Sequence, residues 1–143
     1  MSSTASAVAI AVVFVWLGMV VAISFLEAPL KFRAPQVTLA IGLGIGRLVF
    51  RALNGFETLW AAIVIATLAL DPPGTTALAA LGTAVLALAV QLIAVRPRLT
   101  RRSDAVLAGL DAPRSHGHYV YIGLEAVKTL ALLVGGIALL AGA

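Results

Sequence analysis

Four strongly polar side chains, Arg47, Arg51, Asn54 and Glu57, stand inside a stretch that is apolar on both sides, Gly46-Arg47-Leu48-Val49-Phe50-Arg51-Ala52-Leu53-Asn54-Gly55-Phe56-Glu57. Wound as a helix they fall at i, i+4, i+7 and i+10, which predicts one shared face. A second set, His118, Tyr121, Glu125 and Lys128, is spaced i, i+3, i+7 and i+10 and shares a face in the same way. Glu27 adds a further carboxylate near the end of the first apolar run. Cations and carboxylates at such spacings can pair with one another or line a cavity that receives a small polar or anionic species.

The surroundings make these side chains costly. The chain has 143 residues, 62% hydrophobic and 11% charged, with a mean hydropathy of +1.08. Soluble domains carry about 25% charged residues, so the composition predicts an integral membrane protein, all-α, as one transmembrane domain over 1–143. With no cysteine, disulfides, thiolate metal sites and thiol catalysis are excluded. The net charge of +4 comes from basic residues that flank apolar spans, a membrane-topology pattern rather than a nucleic-acid surface.

Four spans are expected, at about 5–30, 47–70, 75–95 and 118–143, forming a four-helix bundle. The first exceeds the ~20 residues that cross a bilayer and has no basic n-region, so it reads as a retained span rather than a signal peptide. Pro29 and Pro35 bracket Lys31 and Arg33, predicting a turn at the membrane surface. From Val37 to Leu70 there is no proline, and a straight helix of that length would run roughly 50 Å against a ~30 Å core. A re-entrant or interfacial piece around Gly42, Gly44 and Gly46 is therefore expected before the second span. Asp71-Pro72-Pro73-Gly74 is a tight turn. Arg96-Pro97-Arg98-Leu99-Thr100-Arg101-Arg102 is expected to stop the third span, with Ser103-Asp104 capping a short helix to Leu110 and a loop over Asp111 to Gly117.

Lys31, Arg33, Arg96, Arg98, Arg101, Arg102 and Arg114 all fall in the first and third connections, and the N-terminal tail and second connection hold no Lys or Arg. The positive-inside rule puts the basic loops in the cytoplasm and both termini outside, as in a bacterial inner membrane. Every intramembrane polar group then lies in the inner half. Glu27, Glu57 and Glu125 balance Arg47, Arg51 and Lys128; facing lipid, at ~2.5–3.5 kcal/mol each, they would sum to well over 10 kcal/mol, so they must face one another or water.

Two readings follow. In one, buried ion pairs only pin four helices in register, as in an accessory subunit of a larger membrane complex or a homo-oligomer. In the other, a cytoplasm-facing polar cavity binds or transports a ligand. No catalytic residue and no metal site is assigned: His116-x-His118 lacks further ligands, Gly42-x-Gly44-x-Gly46 follows no strand, and no Gly-x-Ser-x-Gly or HExxH motif occurs. No cofactor is required by these residues. Trp16 and Trp60 read as packing or interfacial residues.

Two resemblances extend this reading. Trp16-Leu17-Gly18, Ala28-Pro29-Leu30-Lys31-Phe32, Gly46-Arg47-Leu48-Val49-Phe50, Arg96-Pro97-Arg98-Leu99 and His118 together resemble small four-helix bacterial membrane proteins, related to the vertebrate transmembrane protein linked to platinum-drug resistance. Arg51-Ala52-Leu53-Asn54-Gly55-Phe56-Glu57-Thr58 is similar to the second-helix signature of the membrane-associated proteins in eicosanoid and glutathione metabolism. That resemblance implies a glutathione-dependent transferase or isomerase in which Arg51, Asn54 and Glu57 bind glutathione, with Tyr119 or Tyr121 assisting. The chain departs from the pattern in having one residue between Arg51-Ala52 and Asn54, and no following arginine on the last helix.

Overall fold

Apolar side chains on every face of a long helix have no water-compatible side to turn outward, and this sequence answers with four long helices whose exteriors are Leu, Ile and Val. The computed structural model describes residues 1–111 and 116–143. Its four long helices are α1 (Ser3–Lys31), α2 (Leu39–Leu70), α3 (Thr75–Leu107) and α4 (His116–Ala141), each long and apolar enough to cross a membrane. Leu70, Ile93, Leu48 and Leu86 are between 65% and 86% exposed, a surface suited to lipid rather than water. This is the organisation of a multi-pass integral membrane protein.

The helices run up and down. Ser2 caps α1 by accepting from the Ala5 N–H, and its own N–H donates to the Asp71 carboxylate, which ties the start of α1 to the α2–α3 turn. Both termini and the Asp71–Gly74 turn therefore share one end, the termini end. Lys31, Arg33, Arg96, Arg98, Arg101 and Arg102 gather at the other, the basic end; Arg114 lies outside the described residues.

The termini half holds the apolar core. Ala9, Val13, Trp16 and Val20 of α1 meet Ala61 and Val64 of α2, Leu81, Ala84 and Leu88 of α3, and Leu132 and Leu139 of α4. Glycine permits the closest approach: a Cβ on Gly135 would lie 2.5 Å from Leu81 Cδ2, and one on Gly136 would lie 2.8 Å from Phe14 Cζ. Small residues let helix backbones come together where no hydrophobic force separates protein from lipid.

Several expected boundaries move. The first helix ends at Lys31, one residue beyond the expected span, but Pro97 does not end the third, which runs on to Leu107. In both, a π-wound turn comes just before the proline, Val21–Glu27 in α1 and Gln91–Val95 in α3, and the helix resumes as Ala28–Lys31 and Arg96–Leu107. Widening the turn shifts the hydrogen-bond register, so the missing proline N–H and the ring are accommodated. The basic run from Arg96 to Arg102 is thus helical, and no separate helix starts at Ser103. Gly109, at φ +83°, ends α3: its N–H bonds to the Val106 carbonyl while the Leu110 N–H reaches back to Ala105, the Schellman arrangement only glycine makes without strain.

The segment expected to re-enter or lie flat before the second span is the first turns of α2, unbroken from Leu39 and capped by the Thr38 hydroxyl on the Ile41 N–H. The overlong helix is accommodated by company instead of a bend: its start packs on the last turns of α3, joined by Arg47–Asp104 at 2.7 Å. Helix α4 starts at His116, so the histidine pair is helical rather than in a loop.

Candidate functional site

Midway down the bundle the apolar core gives way to one polar layer. Trp16, Glu57 and Lys128 each lie thirteen residues in from the termini-end residues Ser3, Leu70 and Ala141. At 1.5 Å per residue that is a common depth of roughly 20 Å. Antiparallel helices of matched length bring them face to face. Lys128 Nζ stands 2.5 Å from Glu57 Oε1 and 2.5 Å from Glu125 Oε1, and donates to Gln91 Oε1 at 2.8 Å. The Trp16 indole N–H donates to Glu57 Oε1 at 3.0 Å, and the Ser24 hydroxyl to Glu125 Oε2 at 2.7 Å. Gln91 Nε2 donates to the Tyr121 carbonyl at 3.3 Å and to Glu125 Oε1 at 3.4 Å.

Trp16, Glu57, Gln91, Glu125 and Lys128 are at most 1% exposed, so every helix contributes to a sealed network. Charges that would each cost several kcal/mol against lipid are compensated by one another and by neutral donors. The two π-wound turns place the neutral partners, since Ser24 lies in the first and Gln91 opens the second. Two carboxylates share one ammonium, and Glu57 Oε2 is buried with no hydrogen-bond partner.

Below this layer, at the basic end, the helices part around a cavity of about 450 Å³. Ser24, Tyr121 and Glu125 form its inner boundary; Lys31, Phe50, Arg96, Arg47, Arg102 and His118 line the rest with apolar residues between them. The Phe50 ring takes Arg96 Cζ at 5.2 Å and Lys31 Nζ at 5.8 Å, and stands edge-on to Tyr121 with centroids 6.0 Å apart. Arg96 also lies 5.8 Å from the Tyr121 ring. Aromatic faces hold cations in place without neutralising them, although Lys31 is also ion-paired with Glu27. The Tyr121 hydroxyl is buried with no hydrogen-bond partner. A second cavity, about 460 Å³ at the termini end, has no Lys, Arg, His, Asp or Glu in its lining.

The residues singled out in the sequence divide accordingly. Glu57, Glu125 and Lys128 meet in the sealed layer. Arg47, His118, Tyr121 and Glu125 line the cavity. Glu27 pairs with Lys31 one turn along α1, at 3.7 Å, and does not line the cavity. Asn54 is half-buried and Arg51 exposed, both off the cavity wall. The single face proposed for Arg47 to Glu57 fails because six residues turn a helix by about 600°, leaving Glu57 some ~120° around from Arg51. The buried stripe of α2 runs instead through Gly42, Leu53, Glu57, Ala61 and Val64. Arg51, Asn54 and Glu57 therefore do not share one face of α2 within this chain.

Sequence reasoning missed Trp16, Ser24, Gln91, Lys31, Phe50 and Arg96 as site residues. Lys31 and Arg96 had passed for topology signals, although each has a cavity-lining aromatic, Phe32 and Phe50, as its ring partner. No family model matches the chain, and neither a characterised protein nor a solved structure shows detectable similarity to it.

Proposed function

We propose that this chain is a non-enzymatic membrane protein whose basic-end cavity binds a small anionic species, with the sealed layer forming the closed inner wall. The observation that carries the reading is the pair of cations, Lys31 and Arg96, both held at the Phe50 ring in the lining of a roomy cavity. Ring contacts fix Arg96 while leaving its N–H groups to donate, and charge-assisted bonds of that kind are the strong ones; Lys31 adds positive charge that it shares with Glu27. The Tyr121 hydroxyl adds a neutral donor. Under the positive-inside rule the cavity faces the cytoplasm.

The test is binding of a panel of soluble and lipid-borne phosphates and carboxylates to the detergent-purified protein, followed by thermal unfolding. At least one anion should raise the unfolding midpoint, and Arg96→Gln should remove that rise while the unliganded variant unfolds normally. If no anion of either kind shifts the wild-type midpoint, the polar residues serve only to hold the four helices in register.

A further inference from the structure

Resting on the anion-binding reading, we propose that the ligand is a membrane amphiphile, whose phosphate or carboxylate headgroup sits among the cavity's cations and whose chain leaves between α1 and its neighbours. Depth gives the first argument. Counted from the termini end, Arg96 lies 21 residues along α3, His118 23 residues along α4 and Lys31 28 residues along α1. At 1.5 Å per residue these are roughly 30–40 Å, where a ~30 Å hydrocarbon core gives way to headgroups. A cationic cavity at that level meets lipid phosphates before it meets dilute soluble anions.

The second argument is how α1 packs. Its upper half buries a residue at nearly every turn, Ser6, Ala9, Val13, Trp16 and Val20, whereas nothing from Val21 to Lys31 is buried. The end of α1 rests on α2, where Lys31 and the Phe32 ring lie against Gly46 and Gly42, and the Ser24–Glu125 hydrogen bond reaches across to α4. The cavity lining on this side includes Phe25 and Phe32, 43% and 40% exposed, so the wall beside the cations is apolar and reachable from the lipid side. A soluble anion gains nothing from such a wall, whereas an acyl chain gains ~0.8 kcal/mol per buried methylene.

Phosphatidic acid, glycerol 3-phosphate, inorganic phosphate and phosphatidylcholine should be compared on the detergent-purified protein, by native mass spectrometry and thermal unfolding. The expected result is retention of phosphatidic acid with a raised midpoint, and no effect of the other three. Arg96→Gln or Lys31→Gln should weaken retention by roughly tenfold or more, the size of one lost charge-assisted bond. Arg101→Gln, off the cavity wall, should leave it unchanged.

Binding of inorganic phosphate or glycerol 3-phosphate as tight as that of phosphatidic acid would overturn the amphiphile while keeping the anion reading. Equal retention of phosphatidylcholine, or phosphatidic acid retention that ignores both cavity variants, overturns it as nonspecific lipid adsorption. Failure of every anion here, and of the carboxylates in the wider panel, overturns both readings.

Discussion

Lys128 holds the bundle's polar layer together, because one ammonium answers two carboxylates at 2.5 Å each with no solvent to help. Removing one partner of such a group leaves uncompensated charge in a low-dielectric interior. Lys128→Met should therefore lose about 3–5 kcal/mol of stability, read as reduced resistance to denaturant in detergent. Glu57→Gln keeps an acceptor for Trp16 and Lys128 and removes a charge, so its loss should be smaller, about 1–2 kcal/mol. Equal losses for the two variants would contradict the shared-ammonium account. Arg51 belongs to a different class. Exposed on the outside of α2, it should be replaceable by alanine without change in anion binding, the reverse of what its spacing to Glu57 suggests.

Among the elements, the π-wound turns decide most about the site. Without them Pro29 and Pro97 would end their helices, and Ser24 and Gln91 would not be aimed at Glu125 and Lys128. The α3–α4 contact depends on glycine: Gly135→Val puts a side chain where Leu81 already stands at 2.5 Å. Overpacking of that kind should cost about 1–3 kcal/mol, measurable as a lowered unfolding midpoint. The link between the start of α1 and the α2–α3 turn is electrostatic and titrates. The Ser2 backbone N–H, donating to Asp71, holds this carboxyl below its ordinary value of 3.8. Its folded pKa is depressed, so the contribution is complete above the ordinary value and is lost as pH falls through the lower folded value. Asp71→Asn should abolish that part of the acid sensitivity and leave stability at neutral pH-to-acid comparisons flatter; an unchanged acid profile would show that the contact contributes nothing.

For the whole molecule, the distribution of charge predicts orientation. With no native cysteine, single cysteines report sidedness cleanly. A cysteine at Ser103, on the basic end of α3, should react with an impermeant maleimide only after the inner face of the membrane is opened. One at Gly74, in the α2–α3 turn, should react in intact cells. The opposite pattern would invert the bundle and turn the cavity outward. The same asymmetry divides the molecule into an apolar termini half that packs, a buried polar layer, and a basic half that surrounds a cavity.

Membrane class, helix number and the side on which each loop's charge collects were legible in the sequence, because hydropathy and Lys/Arg placement act locally and need no partner. Glu57, Glu125 and Lys128 were legible as costly intramembrane groups for the same reason. Their joining into one layer, with Trp16, Ser24 and Gln91 completing it, depends on the relative depth of four antiparallel helices, which no local pattern encodes. Helical phase decided the rest: six residues carry Glu57 some ~120° around from Arg51, and a π-wound turn lets α3 pass Pro97, which the sequence alone marks as its end. The cavity, finally, is a property of how the basic-end halves of all four helices sit around it. Only the tertiary structure could turn Lys31 and Arg96 from topology signals into cavity-lining cations, since their contact with Phe50 spans three helices.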